Sequence, residues 1–376
     1  MRRMFVISSM TGGGAARTTA NLANHQAACG ESVQILTLHQ PQRPDVYPLH
    51  PSIERRDLGE EAPSAASMSA VLARFMQHYP SPAVIAHAPV IARLRDALLE
   101  RTCDVAIGIG DVTNIRLLVA ARHLPVRVIV AEMADPGGYS ILDWELLRRR
   151  TYPHAEAVVC LAAEFTEYFR RRGIERVHAI ASPVLPAPPR HEKRREQLIV
   201  SIGRLAWEKN LPLLLQAFSD VAPRHPEWRL ELWGNGPMRR ELEGLVASLQ
   251  LQDRVRLPGV THDVYELLER AALFAMTSRT EGLPNALCEA MAAGVPAVVA
   301  DCGAGVRTIV RDGIDGVLVA PRRVAVAGAL DALMRDDERR ARLASRAPEV
   351  VERFAIDRIA AEWDELLISG KVAYAC

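Results

Sequence analysis

Short apolar runs rich in Val and Ile alternate with longer stretches whose apolar residues recur at helical spacing. Residues 5–8 and 33–38 read as strands on either side of a helix over 15–29. Further buried strands are predicted at 83–86, 105–109, 126–131 and 157–161, with helices at 91–101 and 113–123 between them. Regular strand and helix alternation is the pattern of a parallel sheet, because each parallel pair needs a crossover that covers one face. A second series begins at 198, with strands at 198–202, 230–233, 255–257, 273–276, 297–299 and 317–319. Between the two series stands Pro183-Val184-Leu185-Pro186-Ala187-Pro188-Pro189, followed by a dense charged run over 190–196 without apolar period. That composition is a linker's, and it is placed at 186–197. The expectation is an α/β protein of two doubly wound domains, 1–185 and 198–355. The amphipathic segment 356–368 is a helix that can cross back onto the first sheet.

Length agrees, since 376 residues exceed one ordinary core at roughly 100–200 residues per domain. A chain that is 49% hydrophobic and 24% charged is globular, not disordered or fibrous. Lys and Arg number 46 against 45 Asp and Glu, so no overall field draws the protein to nucleic acid, and no nucleic-acid partner is expected. Six single cysteines show neither metal spacing nor a secreted framework, which predicts a reducing, cytoplasmic setting. Arg2 and Arg3 precede an apolar run, but Thr11 to Gly14 break it too early for a signal peptide. No stretch approaches the roughly 20 apolar residues of a membrane span, so any membrane contact is peripheral. Arg148-Arg149-Arg150, Arg170-Arg171-Arg172 and Lys193-Arg194-Arg195 read first as solvated faces; the first two are the candidate patch for the inner face of the cytoplasmic membrane. Oligomeric state is not encoded in any pattern found.

In open α/β sheets ligands bind beyond the carboxyl ends of the strands, and two facing domains make a cleft, so the loops after strands carry the chemistry. After the first strand, Gly12-Gly13-Gly14 opens a helix, and glycine lets a phosphate or sugar approach the backbone; the same run also serves as an ordinary turn. After the strand at 198–202, Arg204 and Lys209 share one loop, where two cations suit a diphosphate leaving group, the alternative being solvated charges. The segment Glu281-Gly282-Leu283-Pro284-Asn285 leads from a strand into a helix, with Pro284 at its first position and Gly294 with Pro296 stopping it. Glu289 lies within that helix among Ala286, Leu287, Ala290 and Met291, where a carboxylate needs a partner. Ribose hydroxyls for one carboxylate, sugar hydroxyls for the other and the helix N-terminus for the diphosphate between them would supply such partners.

Residues 198–320 resemble the donor domain of retaining glycosyltransferases of family 4, which have the GT-B fold of two Rossmann-like domains across a cleft. The family signature is two glutamates with seven residues between them, matched by Glu281 and Glu289. The resemblance implies that Arg204 and Lys209 bind the donor pyrophosphate, with Glu281 catalytic beside them. It also implies that Gly13, Gly14, Gly234, Asn235, Val260, Gly282, Leu283, Pro284, Asn285 and Glu289 line the donor site. Relatives that build bacterial surface glycans carry Ser-Glu-Arg-Asn-Asp-Pro after a middle strand. This chain has Ala131-Glu132-Met133-Ala134-Asp135-Pro136, which makes Glu132 and Asp135 the acceptor-side candidates; relatives also have Pro-Arg-Glu where this chain has Val306-Arg307-Thr308.

The implied reaction moves a sugar with retention from a nucleotide-diphosphate donor to a glycan or lipid-linked acceptor, without cofactor or metal. UDP-hexosamine is the first donor expected, with UDP-hexose and GDP-mannose behind it. A sugar-nucleotide epimerase or isomerase of the same architecture, or a non-catalytic nucleotide-sugar binding protein, are the alternatives. No nucleophile with a base and no metal-ligand cluster is recognisable; His87 and His123 stand alone.

Overall fold

The computed structural model describes residues 1–40, 44–59, 62–78, 85–100, 103–138, 142–189, 195–261 and 263–369. The chain forms two compact units, Met1–Pro183 with the chain from Ile356 onward, and Val184–Ala355.

The first unit holds a seven-stranded parallel sheet. Its strands are β1 (Arg2–Ile7), β2 (Ser32–Thr37), β3 (Glu54–Asp57), β4 (Val105–Ile109), β5 (Arg127–Ala131), β6 (Ala157–Cys160) and β7 (Val177–Ala179), in the order β3-β2-β1-β4-β5-β6-β7. Helices α1 (Gly14–Ala28), α2 (Ala65–His78), α3 (Ala88–Glu100), α4 (Asp111–Ala121), α5 (Leu142–Thr151) and α6 (Ala163–Arg170) make the connections. β4 is buried along its whole length and β5 from Val128 to Ala131, which is why they read as continuous apolar runs. Phe5, Ile35, Ile107 and Ile129 meet Leu22 and Ala23 of α1 in the core.

The second unit repeats the plan with β8 (Glu196–Ile202), β9 (Arg229–Trp233), β10 (Val255–Gly259), β11 (Ala271–Met276), β12 (Ala297–Ala300) and β13 (Val317–Val319), ordered β10-β9-β8-β11-β12-β13 and parallel throughout. Its helices are α7 (Leu211–Val221), α8 (Arg239–Ser248), α9 (Val264–Arg270), α10 (Asn285–Ala292), α11 (Ala304–Ile309), α12 (Arg323–Arg335), α13 (Asp337–Arg346) and α14 (Glu349–Arg353). Trp228, Phe218 and Leu215 are fully buried at the centre of its core.

The last helix, α15 (Ile356–Ser369), belongs to the first unit. Its Ile359, Trp363, Leu366 and Leu367 join that core, and Asp364 pairs with the buried Arg3 at 2.8 Å. Arg127 Nη2 donates to the Leu367 carbonyl at 2.9 Å.

Several expectations change. The crossing falls at Pro183/Val184 instead of 185/186, because the Val184 N–H donates to the Phe354 carbonyl of the second unit at 2.9 Å. β8 starts at Glu196 and so takes the end of the expected linker, whose residues 190–194 lie outside the described residues. Of the expected strand at 83–86, Ala83 and Val84 also lie outside the described residues, and Ile85 and Ala86 are in no strand. β3 and β7 were not expected. β3 is Glu54-Arg55-Arg56-Asp57, an edge strand whose side chains are at most half-buried, so it has no apolar signature to read.

Candidate functional site

In the second unit, the loops after β8 and β9 are zipped together through their backbones. The Gly203 N–H donates to Trp233 O and the Leu205 N–H to Asn235 O, both at 2.9 Å. The approach is so close that a Cβ on Gly234 would lie 1.8 Å from Gly203 O, and one on Gly236 would lie 2.4 Å from Leu205 O. Gly234 also has φ +135°, so no other residue fits there. Its role is to let this loop pass, while the Asn235 side chain closes a turn by accepting from the Gly236 N–H at 2.9 Å. Val260, just past β10, is 65% exposed.

The loop after β8 then makes a single 3₁₀ turn, Trp207–Lys209, and passes through Asn210 in the left-handed region before α7. This brings Lys209 onto the loop after β11. Lys209 Nζ lies 2.6 Å from Glu281 Oε1, and the Ser278 hydroxyl donates to the same oxygen at 2.7 Å. Gly203 makes room for the lysine stem, since a Cβ there would stand 3.3 Å from Lys209 Cε. The two loops are joined again when the Arg279 N–H donates to Glu208 O at 2.7 Å and its guanidinium donates to Asn210 Oδ1 at 2.9 Å and lies over the Trp207 ring. Arg204 pairs with Glu208 and is two-thirds exposed, so its guanidinium is open to an anion.

Gly282, Leu283 and Pro284 are buried. α10 begins at Asn285, so Pro284 is the residue before the helix and not its first; its carbonyl accepts from the Leu287 and Cys288 N–H groups. Glu289 is buried within α10. Gly294, at φ +67°, ends this helix, and Arg195 Nη2 caps it at the Ala293 carbonyl at 2.8 Å. That cap corrects the solvated reading of Arg195. One contributor was missed from sequence: a Cβ on Gly305 would stand 1.8 Å from Gly282 O, so only glycine lets α11 lie on the Glu281-Gly282 backbone. A glycine after a strand was the available signal. Arg307, where relatives differ, pairs with Asp301 at 2.9 Å. Burial, with the charge of Glu281 adding, pushes the Cys302 thiol up to about 12, so it stays protonated and is no nucleophile.

In the first unit, Gly12 and Gly13 take φ +128° and +87° and, with Gly14, leave the start of α1 exposed. Glu132 follows β5 and is only 2% exposed, where burial raises its carboxyl above the ordinary range. It accepts from the Tyr152 hydroxyl and lies 3.7 Å from Arg148 Nε. Asp135 closes a turn by accepting from the Gly137 N–H at 2.9 Å. Two of the basic clusters are not wholly solvated. Arg148 is buried among carboxylates, and Arg172 pairs with Glu145 at 2.8 Å while stacking on Tyr168; Arg149 and Arg171 remain exposed. Among the described residues, no three His, Cys, Asp or Glu side chains are grouped to hold a metal ion, and no helix is long and apolar enough to cross a membrane.

Comparison with known proteins adds the following. Residues 187–350 match the model for glycosyl transferases group 1, and residues 13–183 match that for the glycosyl transferase 4-like domain. An alpha-1,4-N-acetyl-D-galactosaminyltransferase of Campylobacter jejuni, named for an undecaprenyl-diphosphate-linked acceptor, is 28% identical over 99% of this chain and 100% of its own length. Among solved structures, an S. aureus TarM variant with UDP, fondaparinux and alpha-GlcNAc-glycerol superposes with a TM-score of 0.82 at 13% identity, covering 97% of this chain and 99% of TarM. Anabaena HepE with UDP and glucose gives 0.79 at 17% identity, covering 98% and 100%. With two parallel Rossmann-like sheets and a family match on each, the chain belongs to the glycosyltransferases of family 4 and has the GT-B fold.

Proposed function

We propose that the protein is a retaining, metal-independent hexosyltransferase that moves a sugar from a UDP-linked donor, a hexosamine before a hexose, onto a lipid-linked glycan during surface polysaccharide synthesis. The observation that carries this is the meeting of Lys209 with Glu281, the lysine sharing its loop with the exposed, Glu208-paired Arg204. Arg204 and Lys209 hold the donor diphosphate and stabilise the charge that develops as the nucleotide leaves. Binding of a diphosphate draws Lys209 toward the phosphate oxygens and frees a Glu281 oxygen to accept from a donor hydroxyl. Glu289 accepts from the other half of the nucleotide sugar. The acceptor hydroxyl attacks the anomeric carbon from the face the diphosphate leaves, and a diphosphate oxygen takes its proton, so positioning and charge do the work of a base.

The C. jejuni relative, which transfers N-acetylgalactosamine to an undecaprenyl-diphosphate glycan, supports the donor and acceptor class. UDP in the TarM and HepE structures supports uridine as the base. Such an acceptor places the reaction at the inner face of the cytoplasmic membrane, with Arg149 and Arg171 among the surface cations. Thermal-shift screening against UDP-GalNAc, UDP-GlcNAc, UDP-glucose and GDP-mannose tests the donor, since a ligand that binds only the folded state raises the melting temperature. A rise with GDP-mannose alone overturns the uridine assignment. Turnover of UDP-GalNAc to an epimer without transfer to undecaprenyl-diphosphate glycan overturns the transferase reading.

A further inference from the structure

The first unit contains a buried ionic network where its central strands end. The Glu132 N–H donates to Val159 O at 2.8 Å, which ties the start of the loop after β5 to β6. The carboxylate of Glu132 accepts from the hydroxyl of Tyr152, a fully buried residue in the turn after α5. Asn114 of α4, also fully buried, donates to Tyr152 Oη at 3.2 Å and to Ala131 O at 3.0 Å. Its amide oxygen presses on β4 so closely that a Cβ on Gly108 would stand 2.6 Å away.

Arg148 is the hub. Its guanidinium lies 3.7 Å from Glu132, 3.7 Å from Asp111 at the start of α4, and 3.2 Å from Glu145. It also donates to the Pro136 carbonyl at 3.3 Å. One side chain thereby links the start of α4 to both ends of the segment 132–136. Removing a carboxylate and a guanidinium from water costs several kcal/mol each, and apolar residues of the same volume would often be more stabilising. Ligands of open parallel sheets bind at this strand edge, where contacting loops need support from behind.

We propose that Glu132, Tyr152 and Arg148 are positioning residues for sugar transfer. They fix the loop 132–138 and Asp111 in the arrangement that receives the acceptor, and Glu132 itself does not touch substrate. The assignment of this edge to the acceptor rests on the transferase reading above; the clasp itself rests on the geometry. The test uses the full chain with Glu132→Gln, which keeps an acceptor for Tyr152 and removes the charge facing Arg148, and with Tyr152→Phe. Hydrogen exchange over 133–138 is expected to quicken about tenfold or more in both, the scale of a lost charge-assisted hydrogen bond. The dissociation constant for UDP, measured by calorimetry, stays within about twofold because the nucleotide site is on the other unit. With an undecaprenyl-diphosphate glycan, the acceptor KM rises about tenfold while kcat changes little. Exchange unchanged in both variants overturns the clasp whatever the acceptor proves to be. Quickened exchange with kcat falling and KM constant overturns the positioning role and makes Glu132 a catalytic residue. If the wild type uses no lipid-linked glycan, the acceptor reading fails, and the exchange result still decides the clasp.

Discussion

At the scale of single residues, the candidate site depends on side chains that meet and on side chains that are absent. Glu281 is held by Lys209 and Ser278, so replacing it with Ala removes the group proposed to position the sugar and takes from Lys209 its carboxylate. Transfer should fall on the order of 10²-fold, while UDP still raises the melting temperature; full transfer activity in Glu281→Ala rules out its assigned role. Gly234→Ala should cost about 2–4 kcal/mol, read as a lower urea midpoint, because a Cβ 1.8 Å from Gly203 O forces two loops apart. That Lys209 and Glu281 come together was suggested by their places on loops after strands, and the structure brings them to 2.6 Å. What Gly234, Gly236 and Gly305 do was not legible in the sequence, because the need for a missing Cβ arises only when distant loops pack. Glu132 shows the opposite limit: its sequence context is a turn, and only the fold encloses it beneath Arg148 and Tyr152.

At the scale of elements, the buried strands were legible because both faces are covered and every residue is apolar. Edge strands escaped, since β3 presents four charged residues and β7 has only three residues. Ion pairs between elements could not be read either. Asp331 of α12 accepts from Arg224 Nη2 at 2.9 Å and lies 3.0 Å from His225 Nε2 on the turn that follows α7. Burial works to raise the Asp331 carboxyl, but the hydrogen bonds from His225 and Arg224 outweigh it and hold it below the usual range. A depressed carboxyl contributes stability that is present above its unfolded value and is lost as pH falls through the lowered one. Asp331→Asn should therefore flatten the acid side of the stability curve and cost about 1–2 kcal/mol near neutrality, measured by urea unfolding across pH. An unchanged acid limb would show that the pair carries no stability.

At the scale of the molecule, the repeated alternation of strand and helix announced two domains, and the Pro-rich run marked their junction to within a few residues. The return of the last helix was foreseen only as something an amphipathic segment can do. Its partners explain the return: Trp363 and Leu367 complete the core under β1, and Asp364 neutralises the buried Arg3. Ending the chain after Ala355 removes four large buried side chains from that core, Ile359, Trp363, Leu366 and Leu367. At roughly 2 kcal/mol for each of the four large ones, the loss is comparable to the whole stability of a domain. The truncated protein should show its first unit digested by protease while 184–355 survives; a fully resistant first unit would mean that α15 contributes little. The second unit is one continuous stretch, 184–355, whereas the first is split around it and lacks part of its core until a segment more than 170 residues away in sequence docks. A gene fragment for 184–355 therefore carries all of its own unit, while a fragment for 1–183 needs 356–369 supplied by fusion or in trans to close its core.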